Sequence, residues 1–165
     1  MTIVPALRPP SKIYKLAGAN HAGLTKEIRT VVEINASAKK VWDIIADFAA
    51  YKEWNPFIRQ AFGEPKEGSK LEIRITTPSG VNRAYEPKVT KVEPEKELRW
   101  LGKVPGILNG EHVFTIEQAG EGRIRLVHRE VFGGLLSSFF GSNTHEDIKA
   151  GLEQMNAALK KRAES

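Results

Sequence analysis

The chain of 165 residues contains no cysteine. That absence excludes disulfide staples, thiolate zinc sites, iron–sulfur clusters and cysteine nucleophiles, and it fits a reducing compartment. Long apolar runs are missing too. Val41–Ala50 is interrupted by Asp43 and Asp47, and Val131–Phe140 contains two glycines and two serines. Neither approaches the roughly 20 apolar residues of a membrane helix. Met1–Leu7 lacks the basic region and apolar core of a secretory signal, so cytoplasmic residence is the expectation. The histidines, His21, His112, His128 and His145, show no metal-ligand spacing, so neither a metal nor a cofactor is expected. There is no Gly-x-Ser-x-Gly elbow, and no helix follows Gly120-Glu121-Gly122 as a phosphate loop would need. Charge of one sign is scarce as well: 25 Lys and Arg against 20 Asp and Glu leave +5. The basic residues are scattered. Their one ordered row, Arg123 to Arg129, has no aromatic platform interleaved with it, so nucleic acid is not an expected partner.

What is present reads as one domain with an arm. A chain of this size buries about 70% of its unfolded surface, enough for a sizeable core. Residues 1–24 carry Pro5, Pro9 and Pro10 with Gly18, Asn20 and Gly23, which predicts an extended or partly disordered arm. From Lys26 to Ile34 the period is two, with Ile28, Thr30, Val32 and Ile34 on one side. Ser37 is placed to cap a helix over Ala38–Ala46, whose Val41, Trp42, Ile44 and Ile45 form one apolar face. A second short helix, Phe48–Trp54, is predicted to stop at Asn55-Pro56. Strands follow at Leu71–Ile75, Arg83–Val92, Glu97–Leu101, Glu111–Gln118 and Arg123–Phe132, with tight turns at Thr77–Gly80 and Ala119–Gly122. A long helix is predicted over Thr144–Arg162. Thr144 and Asp147 stand at capping-box spacing, and Ile148, Leu152, Met155 and Leu159 form a single stripe. Consecutive strands with tight turns imply an antiparallel sheet, and the C-terminal helix is the element long enough to fill its concave side. The expected class is α+β, a curved antiparallel sheet wrapped around that helix.

The segment from Val32 to Phe48, with its core Ala38-Lys39-Lys40-Val41-Trp42-Asp43-Ile44-Ile45, resembles the opening of the SRPBCC superfamily, the START, Bet v 1-like and polyketide cyclase/dehydrase proteins. Tyr51-Lys52-Glu53-Trp54-Asn55-Pro56-Phe57-Ile58 is similar to that family's second helix. Glu97–Trp100, Gly110–Phe114 and His128–Leu135 resemble its later strands, and the likeness runs from about Thr25 to Lys161. The resemblance implies a helix-grip fold over residues 25–165 with an apolar cavity between sheet and helix. It does not imply one activity, because members carry lipids, bind hormones or pigments, cyclise polyketides or assist other proteins.

The candidate site follows from the strand periods. His112, Phe114 and Ile116 alternate inward, and His128, Glu130 and Phe132 share the apolar face of the neighbouring strand. His112, His128 and Glu130 are therefore the candidate acid–base groups, or the groups that fix a ligand's polar end. Trp42 and Phe48 read as core. Trp54, Phe57, Trp100 and Phe114 are candidate cavity walls, joined by Phe132 and by Leu152 and Met155 from the helix stripe. Residues 133–142 place Leu135, Leu136, Phe139 and Phe140 between glycines, which reads as a gate, as linker packing, or as a site of transient membrane contact. Three functions stay open: a carrier for a small hydrophobic molecule such as a lipid or polyketide, a cyclase or dehydratase, and an assembly factor that binds a partner protein. The carrier comes first, which leans away from an enzyme, as a monomer or dimer.

Overall fold

The computed structural model describes residues 25–104, 108–134 and 141–165. The arm 1–24 and the gate residues Leu135, Leu136, Phe139 and Phe140 lie outside the described residues. Strand β1 (Lys26–Ile34) leads into helix α1 (Ala38–Ala46), a 3-10 turn (Phe48–Ala50) and helix α2 (Tyr51–Trp54). Seven strands follow: β2 (Ile58–Phe62), β3 (Glu72–Thr76), β4 (Asn82–Tyr85), β5 (Lys88–Glu93), β6 (Glu97–Val104), β7 (Leu108–Gln118) and β8 (Ile124–Gly133). Helix α3 (Ser142–Glu164) ends the chain's regular structure. The α+β class and the long C-terminal helix are as expected.

The strands form two antiparallel sheets: β1-β8-β7-β6-β5 and β2-β3-β4. The expected single strand Arg83–Val92 is broken at Glu86-Pro87, where proline has no N–H to give to a ladder. The break moves the chain from one sheet to the other. Leu71 N donates to Pro87 O, and a bridge between Lys70 and Lys88 ties the sheets together. Strand β2 was not expected. Its two buried residues, Ile58 and Ala61, are three apart because a bulge shifts the register between Ile58 and Gln60, so no period of two is visible.

Local chemistry explains the helix ends. Ser37 accepts from Lys40 N at 3.2 Å, as the sequence predicts. Buried Asn55 caps the end of α2 and its Oδ1 accepts from Phe57 N and Ile58 N, which turns the chain into β2. The capping box at Thr144 is not formed. Helix α3 starts earlier, after Gly141, and the Asp147 carboxylate instead accepts from Ser79 N at 2.9 Å and Ser79 Oγ at 2.5 Å. The β3–β4 turn is thereby held to the first turns of α3. At its other end α3 is fastened to the β1–α1 junction: Asn35 N donates to Glu164, and Lys160 Nζ donates to Glu33 O.

One core runs between the five-stranded sheet and α3. Ile28, Ile34, Leu98, Phe114, Ile124 and Leu126 meet Leu152, Met155 and Leu159, with Val41 and Ile45 of α1 at one end. Phe57 packs its ring directly on the α3 backbone at Gly151, where a Cβ would stand 2.3 Å from the ring. Only glycine permits that approach. On the opposite face of the five-stranded sheet, the arginine row is paired with acids: Arg125 with Glu33 at 3.4 Å, and Arg123 with the same Glu33 at 3.9 Å.

Candidate functional site

Strand register brings the three candidate groups together. His112 of β7 is paired with Glu130 of β8, and Phe114 with His128, so all four side chains lie on the helix-facing side. His112 Nδ1 lies 2.5 Å from Glu130 Oε2, and His112 Nε2 lies 2.7 Å from His128 Nε2. His128 Nδ1 lies 2.8 Å from Asn156 Oδ1 on α3. Asn156 Nδ2 donates to Thr30 Oγ1 of β1 at 2.9 Å, and Thr30 Oγ1 donates to the His128 carbonyl at 3.3 Å. The result is one hydrogen-bonded string, Glu130–His112–His128–Asn156–Thr30, that crosses the core from β7 and β8 to α3 and β1.

The string's direction fixes its protons. Thr30 spends its hydroxyl hydrogen on a carbonyl, so it accepts from the Asn156 amide, and the Asn156 oxygen faces His128. His128 therefore donates through Nδ1, and as a neutral ring accepts at Nε2. His112 must then donate through Nε2 and, if neutral, accept at Nδ1. That leaves Glu130 as the donor, a carboxylic acid with its hydrogen on Oε2. The electrostatics agree. Burial pushes His112 down to about 3 and Glu130 up to about 8. Burial also holds His128 well below the ordinary histidine range, the neighbouring His112 adds to the effect, and the Asn156 hydrogen bond opposes it. Near neutral pH all three groups are uncharged, the state that a low-dielectric interior favours.

Aromatic rings enclose the string. Trp100 stacks on His112 with ring centres 4.6 Å apart and planes 9° from parallel, and Phe114 stacks on His128 at 4.4 Å. His128 is fully buried and His112 is 4% exposed, whereas the Glu130 side chain keeps 16% of its exposure. Glu130 is thus the end of the string that reaches outward. Gly110 lies beside it, and a Cβ there would stand 3.5 Å from Glu130 Oε1. Tyr85 flanks the same end. It is paired with buried Ile73, so it lies on the core-facing side of the three-stranded sheet. Its hydroxyl is raised by burial first, Arg83 opposes this, and Glu130 adds to it.

The expected wall residues fall into two groups. Phe57, Trp100, Phe114, Phe132, Leu152 and Met155 are buried members of the core. Trp54 is half-buried against it, and its indole Nε1 is buried without a hydrogen-bond partner among the described residues. Asn156 and Thr30 were not among the expected site residues. Both were visible in pattern: Asn156 is an amide between Leu152 and Leu159 on the apolar stripe of α3, and Thr30 sits in the inward set of β1. Among the described residues, no group of three or more His, Cys, Asp or Glu is placed to hold a metal ion. No helix among them is long and apolar enough to cross a membrane.

Comparison with known proteins accords with this geometry. A START superfamily protein from Mycobacterium smegmatis has a TM-score of 0.68 at 22% identity, the match covering 84% of this chain and 97% of that one. The di-domain ARO/CYC BexL from the BE-7585A biosynthetic pathway has a TM-score of 0.67 at 17% identity; 86% of this chain is covered, which spans about half, 51%, of that protein. A point mutant of Thalictrum flavum norcoclaurine synthase, in complex with a transition-state analogue, has a TM-score of 0.61 at 12% identity, covering 86% of this chain and 96% of that one. At these identities the likenesses establish the fold. No curated protein matches the chain. The family model for polyketide cyclase/dehydrase and lipid transport matches residues 25–164. With the sheet-wrapped helix and the candidate site between them in place, that match settles the classification: the chain belongs to the polyketide cyclase/dehydrase and lipid transport family.

Proposed function

We propose that the protein binds a small hydrophobic molecule carrying a hydroxyl group, and that this hydroxyl donates to Glu130 Oε1, since the Glu130 hydrogen is held on Oε2 toward His112. The observation that carries this reading is the string itself. Every member from Thr30 to His112 is satisfied by another protein group, and only Glu130 approaches the surface, beside Gly110 and Tyr85. A buried polar string costs free energy unless each group is paired, so its single outward end is where a ligand's polar group gains most. Apolar burial would supply most of the affinity and these groups the orientation.

Acid–base chemistry of the cyclase or dehydratase kind is the second reading. It is favoured by one observation: Glu130, raised to about 8, touches a histidine that burial keeps neutral. A carboxylic acid of that strength can give a proton to a ligand oxygen near neutral pH and take one back.

The two readings separate on Glu130→Gln. The amide still donates to His112 Nδ1 but exchanges no proton. Native mass spectrometry and solvent extraction of purified protein should recover an apolar, oxygen-bearing molecule. Its affinity should change by less than about tenfold in Glu130→Gln, one neutral hydrogen bond being replaced by another. Turnover of a polyketide or ketone substrate that disappears in Glu130→Gln establishes the second reading. Protein that is recovered empty and that binds no apolar probe such as anilinonaphthalene sulfonate overturns both.

A further inference from the structure

The three-stranded sheet carries a second feature, on the side away from the core. Ala61 and Ile73 are paired and buried, which defines the inner face of that sheet. Arg74 is paired with Gln60 on one side and Ala84 on the other, and Thr76 with Asn82, so these side chains share the outer face. Arg59 stands at the β2 bulge, and Lys52 projects from α2 beside it. Ile75 and Arg83 are paired with each other, so the same register puts their side chains on the inner face; they border the open groove of about 550 Å³ that the outer residues line. That volume falls within the roughly 300–1,000 Å³ of small-molecule sites.

The lining holds Lys52, Arg59, Arg74 and Arg83 and no carboxylate. None of the four cations has an ion-pair partner among the described residues. Elsewhere among the described residues Lys39, Arg99, Arg125, Lys149, Lys160 and Arg162 each meet an acid, while Lys66, Lys88 and Arg129 do not; what sets the groove apart is that its cations share one lining without a carboxylate. The polar remainder of the lining is partly committed: Thr76 Oγ1 donates to Asn82 Oδ1 at 2.7 Å, which leaves the Asn82 amide hydrogens as donors. Glu72, two residues from Arg74 on the same strand, lines the neighbouring concavity with Phe62, Lys70 and Glu86 instead.

We infer that this groove binds a phosphate monoester group. Arg59 Nη1 donates to Asn55 O at 3.4 Å, and the remaining arginine N–H groups match the tetrahedral oxygens of a phosphate with parallel N–H···O bonds, to which a lysine adds a compact charge. Charges left together without counter-ions repel one another, and a doubly charged anion relieves that repulsion in a way one side-chain carboxylate does not. A soluble metabolite and a lipid headgroup can each carry such a phosphate; the chemistry of recognition is common to both. The groove is on the opposite side of the three-stranded sheet from the Glu130 string, so it is independent of the reading given above.

The test uses the full chain and two probes: phenyl phosphate in solution, and phosphatidylcholine vesicles with and without phosphatidic acid. Amide resonances of Gln60, Thr76 and Asn82 are followed on titration, and vesicle binding is read by sedimentation. The double variant Arg59→Gln/Arg74→Gln should weaken binding by roughly tenfold per arginine. The control Arg123→Gln/Arg125→Gln, equal in net charge, should bind as the parent does. Loss with phenyl phosphate identifies a soluble ligand, and loss confined to phosphatidic acid vesicles identifies a lipid headgroup. Absence of binding to both probes overturns the inference. So does a double variant that binds as well as the parent, or a control that weakens equally.

Discussion

On the helix-facing side of the five-stranded sheet, Glu130, His112, His128, Asn156 and Thr30 hand one hydrogen bond to the next. On the outer side of the three-stranded sheet, Lys52, Arg59 and Arg74 converge with no acid among them. The first set is polar but uncharged; the second is charged but unpaired. The contrast follows from water. In the core an unmatched donor costs about 1–3 kcal/mol and an ion far more, so the groups are neutral and fully connected. At the surface, solvent tolerates the cations, and they remain available to an incoming anion. The interior set builds the fold and the candidate site at once, whereas the exterior set can change with little effect on stability.

That asymmetry can be broken first at the packing that supports the string. Phe57→Ala removes the ring seated on Gly151 and should cost about 3–5 kcal/mol in urea unfolding. A loss below 1 kcal/mol would mean that the ring's seat on α3 is not part of the stable core. Next comes the string itself. Asn156→Leu leaves the His128 Nδ1 hydrogen and the Thr30 acceptor unmatched, and should cost about 1–3 kcal/mol. Equal stability of the leucine variant would show that water replaces the amide.

The pH dependence sharpens the comparison further. Glu130 has an ordinary value of 4.5 and a folded value of about 8, so the folded protein holds a proton that the unfolded chain releases in this window. Its contribution to stability therefore falls as pH rises from 4.5 to 8. His112 works in the other sense. Its value drops from 6.5 to about 3, and His128 is lowered too, so their contributions are lost as pH falls below 6.5. Stability should peak near pH 6.5 and drop by about 2 kcal/mol by pH 8, and Glu130→Gln should abolish that drop. A parent curve that is flat from pH 6.5 to 8 would contradict a protonated Glu130.

The smallest effect is expected at the exposed tether. Asp147→Asn weakens the bonds from Ser79, which with Thr77 hold the Asp147 carboxyl below its ordinary value. Amide exchange should quicken at Ser79 and in the first turns of α3, with the Glu130 end of the site unchanged. Unaltered exchange at Ser79 would show that the tether does not order the turn.

Most of the site was legible because strands hide nothing about their faces. Ile124, Leu126, His128, Glu130 and Phe132 alternate with the arginines of β8, and the structure keeps that division. A histidine and a glutamate in an inward set had to be matched, and the hairpin with β7 supplied His112 directly across from Glu130. Asn156 escaped because a helix stripe is read from its apolar members, and one amide among Leu152, Met155 and Leu159 looks like an interruption. Thr30 escaped because a threonine in a strand is ordinary. The β2 strand and the break at Pro87 were lost to a bulge and a change of sheet, both consequences of partners distant in sequence. Asp147 was assigned to its own helix end; it serves the β3–β4 turn instead, because α3 begins before Thr144 and the acid then faces Ser79.

The amino-acid sequence by itself determined the α+β class, the wrapped C-terminal helix, the family, and which side of β7 and β8 would carry His112, His128 and Glu130. Those are properties of local period and order along the chain. Tertiary structure decided how the polar groups connect and which of them holds a proton. It also set the seat of Phe57 on Gly151 and the convergence of cations from α2, β2 and β3 at one groove. Each of these depends on distances between elements far apart in the chain. Hydrogen bonds and charges act over a few ångströms, and no period in the sequence records that distance.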